Sequence, residues 1–351
     1  MLKKIISYSI CLLVIIFFVT IIIQVTHQER SWTIVIIPDT QWYFQNDESY
    51  AILTQMTQWI KDNRKARNIK MVLHLGDITD NNTPEEWVKA KASMSVLHGQ
   101  VPYIMCVGNH DSATNGFMID RTTLMNKYFS VEDNPLNKEI FGGSYGAGLE
   151  NAYYLFNAGG KDYMVLSLEF GPRQEVVDWA NRMVAEHPAS SVLLITHDYM
   201  DEKSRVDTGI ACRTTPTRDF SPSLFPIGKN DSAHCGEELW EELVSKNPNF
   251  EFVFSGHQVD ADGDKIATGH RSDKRENGYT VHQTLFNAQW SSKGGEGWLR
   301  LVEFRPDGKV QHKTYSSYKN EWKQTEEYEF FVKQDSSSKK GDNSGKTKKP
   351  R

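Results

Sequence analysis

The chain lacks a basic body. Its 40 Lys and Arg face 45 Asp and Glu, for a net charge of -5, which argues against nucleic-acid binding. It lacks an internal repeat, so no solenoid or array is expected. No Gly-x4-Gly-Lys-Ser/Thr loop occurs, which excludes a P-loop kinase, and Ser-His-Asp catalysis fits the chain poorly. Cysteine is scarce, at four residues in 351. Cys11 lies in an apolar stretch and has no lipoprotein-type context. Cys106 reads as a small buried hydrophobe. Cys212 and Cys235 bracket an irregular segment and are expected to pair if the domain is extracytoplasmic, which would stabilise it by roughly 3 kcal/mol.

A hydrophobic fraction of 39% and a charged fraction of 24% describe an ordinary folded composition, except at the two ends. Lys3 and Lys4 precede an almost unbroken apolar stretch from Ile5 to Ile23. At about 1.5 Å per residue such a helix nearly spans a ~30 Å hydrocarbon core. Lysines ahead of it orient the rest of the chain outward. No small-x-small cleavage site follows the stretch. The expectation is therefore a single-pass anchor over residues 1–30 that holds an extracytoplasmic domain at the cell membrane, or a secreted domain if the segment is removed. The other end, residues 334–351, is Ser, Gly, Asp and Lys with a net charge of about +4. It reads as a solvated basic tail, and contact with anionic envelope polymers is a weaker reading.

Between them, residues 31–333 form one domain in which strand-like runs alternate with helical patterns. Ile52, Met56, Trp59 and Ile60 repeat at helical spacing. Thr83-Pro84-Glu85-Glu86 spells a capping box with Pro at the first helical position, followed by the stripe Trp87, Ala90, Met94 and Leu97. Val176, Ala180, Met183 and Val184 mark a further helix. Residues 112–151 and 201–234 show no periodicity and are expected to form walls over a site.

Five apolar runs each end in a polar motif. Ile34–Ile37 leads to Pro38-Asp39-Thr40-Gln41, and Met71–Leu75 to Gly76-Asp77-Ile78-Thr79-Asp80. Val101–Val107 leads to Gly108-Asn109-His110-Asp111, Val192–Ile195 to Thr196-His197-Asp198, and Phe250–Phe254 to Gly256-His257-Gln258. In open α/β sheets, ligands bind beyond the carboxyl ends of strands. Asp, Asn and His gathered there suit a divalent metal. Phosphoester hydrolysis at paired metals needs a bridging carboxylate, an acidified water and groups that meet growing phosphoryl charge. Asp77, with Gly76 before it, is the candidate bridge. Asn109 offers an amide oxygen, and His197 and His257 offer imidazoles. His110 is placed to reach substrate, with Asp111 expected to hold its ring.

Together these five motifs resemble the calcineurin-like metallophosphoesterase superfamily, from about Trp32 to Tyr318. The 168–173 and 294–300 stretches look like those of its membrane-linked or secreted bacterial members. The resemblance implies a four-layer αββα sandwich and a hydrolase of phosphomonoesters or phosphodiesters using two divalent ions (Mn, Fe or Zn). It also implies that Asp39 binds the first metal, that Asp77 bridges, and that Asn109, His197 and His257 bind the second. His110 would contact the phosphate or leaving group. Two positions depart from the pattern. Gln41 stands where the first motif usually has His, and Val259 where the last motif has its second His. Both fall on the first metal, where oxygen ligands would favour Mn, Mg or Ca. A catalytically weak or single-metal module is the alternative, and Asp260 or His282 are weak candidates to fill the gap.

Overall fold

The computed structural model describes residues 30–206, 221–260, 266–275 and 278–335. The expected anchor, Cys212 and nearly all of the basic tail lie outside them. Among the described residues no helix is long and apolar enough to cross a membrane.

Among the described residues fourteen strands run in chain order: β1 Trp32–Ile37, β2 Ile69–His74, β3 Tyr103–Met105, β4 Phe141–Ser144, β5 Ala152–Ala158, β6 Lys161–Leu168, β7 Ser191–Thr196, β8 Phe250–Ser255, β9 Ala267–Lys274, β10 Thr280–Asn287, β11 Trp298–Phe304, β12 Lys309–Ser316, β13 Glu321–Lys323 and β14 Phe330–Lys333. They make two seven-stranded sheets. The first has the order β13-β12-β11-β1-β2-β3, with β14 on β12, and the second β4-β5-β6-β7-β8-β10-β9. Within the first sheet β1, β2 and β3 are parallel. Within the second, β6, β7, β8 and β10 are parallel.

Alternation along these strands divides the core. Ile34, Ile36, Leu193 and Ile195 share one apolar cluster between the sheets. Their neighbours Val35 and Ile37 face outward onto the helices α1 (Asp47–Asn63) and α2 (Pro84–Ser95). Val192 and Leu194 face outward the other way, onto α3 (Gln174–Glu186). A strand buried on both faces reads as a continuous apolar run, which is why the five runs were visible in the sequence. Helices outside two facing sheets give the layer order α, β, β, α. Each fully buried aliphatic side chain in these clusters contributes about 1.5–3 kcal/mol.

The helix signals also match. Ile52, Met56 and Ile60 are buried on α1. Thr83 Oγ1 accepts from Glu86 N at 3.3 Å, and Glu86 Oε2 accepts from Thr83 N at 3.3 Å, completing the capping box at α2.

Two expectations need correction. The Val101–Val107 run pairs only over Tyr103–Met105, because Pro102 has no N–H to give a ladder. The 112–151 segment is partly ordered into short helices, Met125–Tyr128 and Pro135–Ile140, ahead of β4. Asn134 pins it, accepting from Leu136 N and Gly99 N and donating to Val101 O. Elements this short carry no detectable period. The expected Cys212–Cys235 pairing falls on Cys212, outside the described residues; Cys235 itself is buried.

Candidate metal centre

Both sheets deliver residues to one edge. Asp39 follows β1, Asp77 follows β2, and Asn109, His110 and Asp111 follow β3. His197 follows β7 and His257 follows β8. The turns are tight. A Cβ on Gly76, at φ +94°, would lie 2.7 Å from His197 Nδ1, and one on Gly108 would lie 2.1 Å from Asp77 Oδ1. Asp77 and His257 themselves take left-handed backbone, at φ 47° and 66°. Such conformations cost about 1–3 kcal/mol each and persist where surrounding structure enforces them.

On one side of Asp77 the groups converge. Single ligand atoms of Asp77, His197 and His257 all lie within 4.8 Å of one another. His197 Nδ1 lies 2.7 Å from Leu75 O and donates to it, which turns Nε2 inward. That Nε2 lies 3.2 Å from Asp77 Oδ1 and 3.1 Å from His257 Nδ1. Asn109 Nδ2 donates to Gly116 O at 3.0 Å, leaving its buried Oδ1 without a hydrogen-bond partner. Burial opposes charge on His197, but Asp77 and Asp39 outweigh it and lift its pKa to about 10. Burial likewise opposes charge on Asp77, yet His197 and His110 hold its carboxyl well below the usual range. A site that keeps a carboxylate ionised between two facing imidazoles, beside an orphaned amide oxygen, calls for positive charge. A divalent ion fits these four residues.

The other side of Asp77 is different. Gln41 Nε2 donates to Asp77 Oδ2 at 2.9 Å and to Gln289 Oε1 at 2.5 Å. Gln41 Oε1 is buried and unpartnered. Asp39 accepts from His257 N at 3.1 Å and Asn287 Nδ2 at 2.9 Å. Burial pushes the Asp39 carboxyl up to about 8, against the pull of His197. Val259 lines the cleft with an aliphatic side chain.

His110 borders the same cleft, about 280 Å³ in volume, together with Asn115, Phe117 and Phe225. Its backbone N donates to Asp77 Oδ1 at 2.9 Å. The expectation for Asp111 is overturned. Asp111 is fully buried and accepts from Ile78 N, Thr79 N, Thr79 Oγ1 and Gly108 N at 2.8–3.0 Å. It ties the second motif to the third and does not touch the His110 ring. The ring is held by Asp80 instead, with Nδ1 2.6 Å from Asp80 O and 3.3 Å from Asp80 Oδ1. Burial disfavours the imidazolium, but Asp77 and Asp80 lift its pKa to about 9.

A family profile described as calcineurin-like phosphoesterase matches residues 33–261, more than half of the chain. The chain belongs to the calcineurin-like phosphoesterase family. A relative in Bacillus subtilis (strain 168), the uncharacterized protein YvnB, is 32% identical over 308 residues. That match covers 84% of this chain and 20% of the relative, so the chain spans about a fifth of that protein's length. Among solved structures, the purple acid phosphatase PPD1 of yellow lupin (Lupinus luteus) seeds superposes with a TM-score of 0.53 at 13% identity, covering 88% of this chain and 55% of that one. At that identity the likeness shows a shared fold.

Several residues of this calcineurin-like phosphoesterase escaped the sequence reading. Asn287 ends β10 and Gln289 lies two residues beyond it, so the strand-end rule that found the five motifs applies to them as well. Asp80 was inside a quoted motif without a role. The two weak substitutes fail. Asp260 lies beside Glu202, whose carboxyl it raises after burial. His282, near the start of the interior strand β10, pairs with Ser272 Oγ and Lys333 O. Tyr43 packs, its hydroxyl accepting from Gly297 N at 2.8 Å. Gly142-Gly143-Ser144-Tyr145-Gly146 matches a nucleophile elbow by spacing, but its first three residues lie on β4, an edge strand paired antiparallel with β5, and no strand-to-helix turn is present there.

Proposed function

We propose that this chain is a metal-dependent phosphoester hydrolase. The observation that carries the reading is the convergence of Asp77, His197 and His257 within 4.8 Å, beside the unpartnered Asn109 Oδ1. Asp77, Asn109, His197 and His257 hold a divalent ion (Mn, Fe or Zn), which supplies Lewis acidity toward the phosphoryl group and acidifies water. Asp77 and the two imidazoles fix its position. His110, kept protonated by Asp77 and Asp80, meets charge on the phosphoryl or leaving-group oxygen and delivers the proton that group needs. Phe117, Phe225 and Val259 present an apolar wall along the cleft, which suits an ester with an aryl or lipid-like portion.

The test is turnover of p-nitrophenyl phosphate and bis(p-nitrophenyl) phosphate by purified protein supplied with Mn, Fe or Zn. Hydrolysis that disappears on chelation is expected. No hydrolysis of either ester with any metal overturns the reading. A second reading is favoured by Gln41 and Val259: a module that binds an ion without turnover. In the same proposal, the apolar 5–23 stretch anchors the domain on the outer face of the cell membrane. Full-length protein should sediment with membranes, and protein lacking residues 1–30 should not.

A further inference from the structure

We infer that Gln41 takes the seat of the first ion of the family's paired centre, so that this chain holds one divalent ion where its relatives' pattern provides for two. The inference rests on the phosphoesterase reading and concerns its ion count.

The two oxygens of Asp77 face opposite ways. Oδ1 meets the imidazole side, 3.2 Å from His197 Nε2. Oδ2 meets the Gln41 amide nitrogen at 2.9 Å, and that nitrogen also reaches Gln289 Oε1. A bridging carboxylate normally spends one oxygen on each metal. Here a neutral NH2 spans Asp77 Oδ2 and Gln289 Oε1, linking the two oxygens by hydrogen bonds as an ion would by coordination. The amide orientation follows from chemistry. Turned over, Gln41 would set its own oxygen against Asp77 Oδ2, and even with Gln289 turned to donate to it the Asp77 oxygen would face an acceptor.

The remaining ligand positions of that seat are poorer. Asp39 Oδ2 already accepts from His257 N and Asn287 Nδ2, and Oδ1 takes a longer, shared contact from His257 N at 3.3 Å. That Oδ1 sits against the Gly256 backbone, where an added Cβ would lie 2.2 Å from it. Val259 contributes no donor atom. The seat thus keeps one carboxylate oxygen and amides, while the imidazole seat keeps a carboxylate, an amide oxygen and two imidazoles. Affinity should therefore be concentrated on the second seat.

Ion counting decides the matter. Full-length protein is stripped with chelator, titrated with Mn2+ alone, and analysed by calorimetry, elemental analysis and electron paramagnetic resonance. The wild type should bind one ion with an uncoupled Mn(II) spectrum. Gln41→Glu, nearly isosteric, replaces the inward NH2 with an oxygen and should admit a second ion with a spin-coupled signal. Gln41→His combined with Val259→His should do the same. Two ions in the wild type overturn the inference, as does a count that stays at one in both folded variants. Absence of any bound ion overturns both this inference and the hydrolase reading. One bound ion without ester turnover supports the count and sinks the hydrolase reading.

Discussion

The two flanks of Asp77 are made from the same kinds of strand end, yet they do different things. On the flank fed largely by the second sheet, His197 and His257 face each other at 3.1 Å and Asn109 leaves an oxygen unsatisfied. On the flank of Asp39 and Gln41, N–H groups take Asp77 Oδ2 and Asp39 Oδ2, while Gln41 Oε1 stays unpartnered. One flank offers two imidazoles, a carboxylate and an open amide oxygen, and the other offers no imidazole and has its inward carboxylate oxygens bonded to amide N–H groups. Family membership alone therefore does not say how many ions a centre takes. The partners of each lone pair do.

Substitutions can break this contrast. His197→Ala removes a direct ligand. Loss of outer partners alone costs about 10–100-fold, so metal affinity and kcat/KM should fall by more than about 100-fold, read by Mn2+ titration and ester hydrolysis. An effect below 10-fold would place the ion elsewhere. Asp39→Ala should act on folding instead. It leaves His257 N without its acceptor and Asn287 Nδ2 with only His257 O, costing about 1–3 kcal/mol in urea denaturation, with Mn2+ affinity unchanged within a few-fold. If affinity collapses as in His197→Ala, the flanks are equivalent and the contrast is lost.

Asp80→Asn sharpens the site further. Removing the carboxylate charge 3.3 Å from His110 Nδ1, while the backbone O of residue 80 still holds the ring, should lower kcat by about 10-fold while KM and ion count hold. Asp111→Asn should instead lower stability, because Asp111 braces two turns.

The smallest effect lies away from the cleft. His312 is buried with neither ring nitrogen hydrogen-bonded and stacks on Phe330 at 4.5 Å. Burial, then Arg300, His282 and His270, hold its pKa well below 6.5. The unfolded chain therefore takes up the proton first, and stability falls as pH drops below about 6.5. His312→Phe should flatten this acid limb of a melting-temperature profile. Because it does not touch the ion, it separates acid unfolding from acid loss of metal.

The fold was legible because its central strands are apolar on both faces and its α2 cap is written in four consecutive residues. The imidazole flank was legible because its residues sit directly after those strands. Side-chain direction within a turn was not. Asp111 and Asp80 are equally plausible partners for His110 by sequence, but the Asp111 carboxylate is taken by Ile78, Thr79 and Gly108 while Asp80 meets the ring. Asn287 and Gln289 were missed because their chemistry depends on neighbours brought from 248 positions away.

The imidazole flank also joins the molecule's two halves. Asp77 and Asn109 hang from one sheet, His197 and His257 from the other. An ion held there would act as a rivet across the inter-sheet seam. At about 100 times its Kd it would add about 2.7 kcal/mol to folding. Metal scarcity would thus soften the joint between the sheets before it unfolds either one, and amide exchange along the seam would report how well the protein is supplied.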